Sequence, residues 1–249
     1  MNYLEYCEEL YDGWKEDPDF YKSFSSDFDI NYLPQPYYYL REGNDDFVVL
    51  NNYPGSGLPF EEHSNIRKKF PDSGYKDISG WLTKQFTDEN TELQQGNSER
   101  NKKILQIADT LGYKGVLNVE TFFLHTNQFT RNKFIKIYSN IDIVKTYLEK
   151  LEEFLKPRTV LIAGSVLNKK LLHIEILKKS RWIQLQAKVA GIDFSKAVIS
   201  PITKKQNKIT SILLVSGNKY MICNMGSSNI PNNTKEVFEE SALQSAEEN

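Results

Sequence analysis

The sequence predicts an α/β fold, a parallel sheet with helices packed on its faces, and three observations carry that prediction. Phe47 to Leu50 (FVVL) and residues 159–165 (TVLIAGS) are short, almost wholly apolar runs, the pattern of strands buried on both faces. Other stretches repeat their apolar residues at three and four positions, the period of an amphipathic helix. The two kinds of segment alternate, as parallel strands joined by helical crossovers require. Composition agrees, because 39% hydrophobic and 26% charged residues over 249 positions suffice for a buried core and exclude wholesale disorder, collagen-like repeats and a coiled coil.

In chain order, Tyr3, Leu4, Cys7, Leu10, Tyr11 and Trp14 make one apolar stripe, so Tyr3 to Trp14 reads as a helix that Asp17-Pro18 ends. Residues 1–31 are expected to form an N-terminal helical cap. An aromatic, proline-bearing approach, YLPQPYYYL at 32–40, and the turn-like Gly43-Asn44-Asp45-Asp46 lead into the first buried strand. Helices are expected around Ile78 to Phe86 and Arg100 to Leu111, and Val116 to Leu124 reads as the second strand. Ile141, Val144, Leu148, Leu151 and Leu155 line one face of a helix that Pro157 closes. The third strand, 159–165, is followed by an expected helix from Val166 to Leu177. Ile209 to Val215 and Lys219 to Cys223 flank Ser216-Gly217-Asn218, a hairpin signal. A last helix is expected from Thr234 to Leu243, with 244–249 a frayed tail. No repeat and no composition break divides the chain, so a single domain over 1–249 is expected.

The net charge of −2 conceals a strong segregation. Residues 1–99 hold 8 Lys and Arg against 20 Asp and Glu, residues 100–220 hold 22 against 8, and residues 221–249 hold 1 against 5. A middle segment of +14 fits a polyanionic partner, since clustered cations gain affinity by displacing phosphate counterions; it also fits an acidic half folded against a basic one. No apolar run approaches the roughly 20 residues of a membrane span. The N-terminus is acidic and aromatic where a secretory signal would be basic and then apolar, so a cytoplasmic location is expected. Cys7 and Cys223 lie far apart without CxxC spacing, which argues against a disulfide framework and a zinc site.

Ligands of open parallel sheets bind beyond the C-terminal strand ends. Three segments qualify: NNYPGSG at 51–57, HTNQFTRN at 125–132 and MGSSN at 225–229. Each offers small or amide side chains and exposed backbone donors, suited to a sugar-phosphate or a base edge, though the same residues are default loop formers. Taken together and in this order, they resemble the uracil-DNA glycosylase superfamily. FVVLNNYPGSG at 47–57 is similar to that family's water-positioning motif, with forms such as GQDPYH or GxNPG. FFLHTN at 122–127 is similar to its second core strand end, where a base-reading polar residue stands, with His125 or Asn127 in that place. CNMGSSN at 223–229 is similar to the MPSSS form of its minor-groove loop, and the aromatic lead-in resembles that of some bacterial members. The resemblance spans residues 32–240.

It implies a three-layer α/β/α sandwich with a mostly parallel four-stranded central sheet. It implies a monofunctional DNA glycosylase that hydrolyses the N-glycosidic bond of a uracil-like or modified pyrimidine, without metal or organic cofactor, acting on DNA as a monomer and not at a membrane. As that bond breaks, positive charge develops on the sugar and negative charge on the base, so the site must hold a water at the anomeric carbon and aim donors at the base. The target nucleotide must be flipped out, stacked and read through its polar edge. The catalytic assignment is open between Asn51, Asn52 and Tyr53, because without a gap Tyr53 falls where the family has its catalytic Asp or Asn. Base contacts fall to Tyr53, His125 and Asn127, with Tyr37, Tyr38, Tyr39 and Phe129 as further stacking groups. DNA contacts fall to Gly55, Ser56, Arg131, Lys133, Lys169, Lys170, Ser227, Ser228 and Asn229, and Lys204, Lys205 and Lys208 are further phosphate contacts. Glu61 and Glu62 follow the first motif but read as a helix start that complements the dipole. NNY in place of DPY suggests a pocket reshaped for a bulky modified base of the kind found in phage DNA, and with it antiphage defence. Two other classes stand beside this reading: a non-catalytic nucleic-acid or protein-binding module on the same fold, and a hydrolase of free nucleosides or nucleotides.

Overall fold

The computed structural model describes residues 1–17, 21, 24, 28, 33–54, 70, 72–87, 98–125, 131–166, 180–205, 208–224 and 230–239. Among the described residues, six α-helices, α1 (Tyr3–Glu16), α2 (Tyr75–Thr87), α3 (Ser98–Thr110), α4 (Arg131–Lys136), α5 (Asp142–Leu155) and α6 (Arg181–Ala190), and a short 3-10 helix at Tyr138–Asn140 accompany seven strands, and a further helical stretch covers 234–239. The strands are β1 (Tyr37–Arg41), β2 (Phe47–Asn51), β3 (Val116–Glu120), β4 (Thr159–Val166), β5 (Val198–Lys205), β6 (Lys208–Ser216) and β7 (Lys219–Asn224). No helix among the described residues is long and apolar enough to cross a membrane.

The α/β class is as expected, but the sheet has seven strands rather than four and is mixed, in the order β1-β3-β2-β4-β7-β6-β5. Its central strands β3, β2, β4 and β7 run parallel, while β1 joins one side antiparallel and the β6/β5 hairpin the other. Two of the strands, β1 and β5, come from segments with weak strand signals. β1 lies within the proline-bearing aromatic approach, and β5 carries Pro201 and ends in Lys204-Lys205, features tolerated at a sheet edge. β3 is also shorter than expected: it ends at Glu120, and residues 121–125 are irregular. Val166 ends β4, and the rest of the helix expected to Leu177 lies outside the described residues.

Side-chain alternation along the strands builds two cores, one on each face. Val48 and Leu50, Leu117 and Val119, and Val160 and Ile162 face α1, α2, α5 and α6. Phe47 and Val49, Val116, and Leu161 and Ala163 face Ile104, Ile107 and Ala108 of α3 and Phe238. α1 starts at a capping box, in which the Glu5 amide donates to Asn2 Oδ1 at 3.0 Å and the Asn2 amide to Glu5 Oε2 at 2.7 Å. α6, absent from the sequence expectation, is bounded by Ser180, whose Oγ accepts the Ile183 amide, and by Gly191 in the left-handed region at φ 78°.

The turn before β2 lies against the entry to β3. A Cβ on Gly115 would fall on the carbonyl oxygen of Asn44, and within 2.8 Å of its nitrogen and 2.9 Å of the Gly43 carbonyl carbon. These are backbone atoms that cannot rotate aside. Gly115→Ala should therefore cost about 1–3 kcal/mol of stability, read as a lower urea midpoint with unchanged slope; an unchanged midpoint would mean that the two segments can separate freely.

Candidate functional site

The crossovers place the site. From β2 the chain moves to β3 on one side and then returns past β2 to β4 on the other, so the connections diverge at the carboxyl ends of β2 and β4. At such a switch point a crevice opens for a ligand. Asn51 is the last residue of β2, and Asn52 and Tyr53 follow it directly into this region.

The two asparagines part there, onto opposite faces of the sheet. Asn51 keeps the parity of Phe47 and Val49 and turns its side chain toward α3. Its Oδ1 accepts from the Arg100 guanidinium, and its Nδ2 approaches Asn118 Oδ1 and Glu120 Oε1, each at 3.4 Å. Asn118 and Glu120 share a face of β3 because they are two residues apart, and Tyr38 of β1 sits opposite Asn118 in register. Asn52 turns instead to α6, where its Oδ1 accepts from Trp182 Nε1 at 2.9 Å and Gln186 Nε2 at 3.2 Å. Gln186, 1% exposed, also reaches the Asn51 carbonyl and Thr121 Oγ1 at 3.3 and 3.1 Å. Backbone pairing continues beyond the strands, with the Thr121 amide on the Asn51 carbonyl at 3.0 Å and the Phe122 amide on that of Asn52 at 3.2 Å.

Glu120 is the one carboxyl buried among the described residues, at 4% exposure. Its backbone is fixed on both sides: its amide donates to the Pro36 carbonyl at 2.9 Å, and its carbonyl accepts from Tyr147 at 2.6 Å. Tyr147 in turn meets Tyr3 of α1 at 3.1 Å, so the N-terminal helix braces the strand end from below. Burial pushes the Glu120 carboxyl up to about 8, against the opposing pull of Arg100 and the hydrogen bond from Asn51. Oε2 of Glu120 and Nδ2 of Asn118 are both buried and have no partner among the described residues. A buried acid, a guanidinium and two amides at a switch point can bind a polar ligand edge and move a proton near neutral pH.

The sequence had directed attention elsewhere in part. His125 is buried five residues beyond the strand end that Glu120 occupies, so the polar residue closing the second core strand is Glu120. Tyr37 and Tyr38 are core residues, while Tyr39 and Tyr53 are partly buried against the core. Arg131 heads α4 half-buried and interacts electrostatically with Tyr53, which opposes the lowering of its proton affinity by burial; Lys133 is exposed. Asn127, Gly55, Ser56, Lys169, Lys170, Ser227, Ser228, Asn229, Phe129, Glu61 and Glu62 lie outside the described residues, and so do the side chains of Lys204, Lys205 and Lys208. Glu120, Asn118, Arg100, Trp182 and Gln186 are the residues that sequence reading missed. For Glu120 the signal was present, a charged residue closing the otherwise uncharged run VLNVE.

Among the described residues no three His, Cys, Asp or Glu side chains group so as to hold a metal ion. Comparison of the chain with models of known families, with curated proteins and with solved structures finds no match in any of the three.

Proposed function

We propose that the chain is a monofunctional DNA glycosylase that hydrolyses the N-glycosidic bond of a uracil-like or modified pyrimidine in DNA and leaves an abasic site, with phage DNA carrying hypermodified bases as its target in antiphage defence. One observation carries this reading: the Asn51-Asn52-Tyr53 segment emerges at the switch point of the parallel strands, where Asn51 converges with Asn118, Glu120 and Arg100. Hydrolysis needs polar groups that can hold a water against the sugar and donors that meet the charge developing on the base. The amides of Asn51 and Asn118 and the guanidinium of Arg100 supply donors there. Arg131 and Lys133 at α4, within the +14 middle segment, supply cations for the phosphate backbone.

The test incubates the purified chain with DNA bearing uracil, hydroxymethylated cytosine, glucosylated cytosine or only unmodified bases, followed by alkali. Strand cleavage confined to one modified substrate is the expected result. Asn51→Ala should abolish abasic-site formation while DNA binding persists. Asn52→Ala should remove the acceptor that Trp182 Nε1 and Gln186 Nε2 share and cost about 1–3 kcal/mol of stability, with a smaller loss of activity. Equal activity loss in both variants would contradict that division of labour.

A second reading, a non-catalytic nucleic-acid-binding module, draws on a specific feature. The amide oxygens of both asparagines already accept protein donors, and an oxygen so engaged is poorly placed to orient a water. DNA binding with no alkali-labile site on any substrate would establish it.

A further inference from the structure

The engaged asparagine oxygens pose a chemical problem whose solution lies one strand away. An amide takes no proton at neutral pH, so neither Asn51 nor Asn52 can serve as the base that activates water. Glu120 is the titratable group beside them: it closes β3 next to the end of β2, one of its oxygens faces Asn51, and the other, Oε2, is buried with no partner among the described residues. A buried polar oxygen left in this way calls for a water or a ligand.

We propose that Glu120 is the general base of the glycosidic hydrolysis, with Asn51 and Arg100 as the residues that position and charge-balance its carboxylate. The inference rests on the glycosylase reading above and names the proton acceptor within it. Oε2 takes a proton from water as the water oxygen bonds the anomeric carbon. The carbon–nitrogen bond breaks with its electron pair passing to the base nitrogen, and the proton on Glu120 then passes to the departed base, which restores the carboxylate. No oxidant, metal or further reactant enters the balance.

The groups that face this carboxyl are Arg100 from α3, Asn51 from β2, Asn118 on its own strand and Tyr38 from β1, with Tyr147 of α5 at its backbone carbonyl. Arg100 is the cation among them, and it favours the ionised form that burial opposes. A base of this kind works once it has lost its proton, so the rate should rise with pH and level off above about 8.

The experiment measures single-turnover excision from about pH 6 to about pH 10 on the substrate that wild type cleaves, together with DNA binding and circular dichroism. Glu120→Gln, nearly isosteric, should retain fold and DNA binding, lose about 10²–10⁴-fold in rate and lose the rising limb. Arg100→Met should keep the limb but move it to higher pH, a shift that a merely structural role for Glu120 would not produce. Wild-type rate and limb in Glu120→Gln would overturn the assignment while leaving the glycosylase reading intact. Wild type inactive on every substrate would overturn both. Should Glu120→Gln fail to fold, an unmoved limb in Arg100→Met overturns the assignment on its own.

Discussion

Phe122→Ala should destabilise the fold by about 3–5 kcal/mol and should weaken the candidate site although its ring touches no ligand. Phe122 is fully buried two residues beyond the strand end, with ring centroids 4.7 Å from Phe28, 4.9 Å from Phe123, 5.0 Å from Phe134 and 6.1 Å from Phe24. Truncation removes the hub of this cluster and leaves a cavity that rigid neighbouring rings fill poorly. The damage has a direction, because Phe134 packs edge-on against Trp182 at 5.4 Å and Trp182 holds Asn52. Relaxation of Phe134 into the void therefore frees the α6 side of the site, and the Asn52 environment should loosen before the Asn51 side does. Urea titration would show the lost stability as a lower midpoint with unchanged slope. A cost below about 1 kcal/mol would mean that the cluster repacks and that Phe24 and Phe28 do not fix the site.

That cluster marks the limit of what linear sequence shows. The runs FVVL and TVLIAG are legible as strands because burial on both faces leaves no room for polar residues, and the Gly217-Asn218 hairpin is legible because its turn needs positive φ, found at 59° for Gly217. β1 and β5 are edge strands whose signals are diluted by proline and lysine, so their pairing is settled by the sheet they join. α6 was not anticipated, although Ser180 and Gly191 bound it, and no local pattern tells that Trp182 and Gln186 meet a side chain some 130 residues earlier. The candidate site divides likewise. Asn51 and Asn52 stand out in the sequence as a polar pair after an apolar run, whereas their divergence onto opposite faces follows from strand parity at a strand end. Glu120 was hidden by reading Val116 to Leu124 as one continuous strand, which made the end of the strand appear to be its middle.

Glu120→Gln should make the fold more stable in alkali, and the sign follows from where the proton is held. Burial raises the folded-state carboxyl to about 8 from an ordinary value of 4.5, so between those limits the unfolded chain has released a proton that the folded chain keeps. The folded state is favoured fully below about 4.5, and stability falls as pH rises toward 8, by about 1.4 kcal/mol for each pH unit. Above that, the fold carries a buried carboxylate only partly balanced by Arg100 and Asn51. Glutamine mimics the protonated acid, keeps an oxygen for Asn51 Nδ2 and removes the charge, so the variant should match wild type near pH 5 and exceed it by about 3–5 kcal/mol near pH 9. Urea titrations at the two pH values measure this directly, and parallel pH dependences in the two proteins would show that Glu120 ionises freely when folded. The same substitution is expected to remove the rising limb of the excision rate. Burial thus holds the Glu120 proton up to about pH 8, so the stability measurement and the rate profile proposed above both read the same ionisation, one in the fold and one in the reaction.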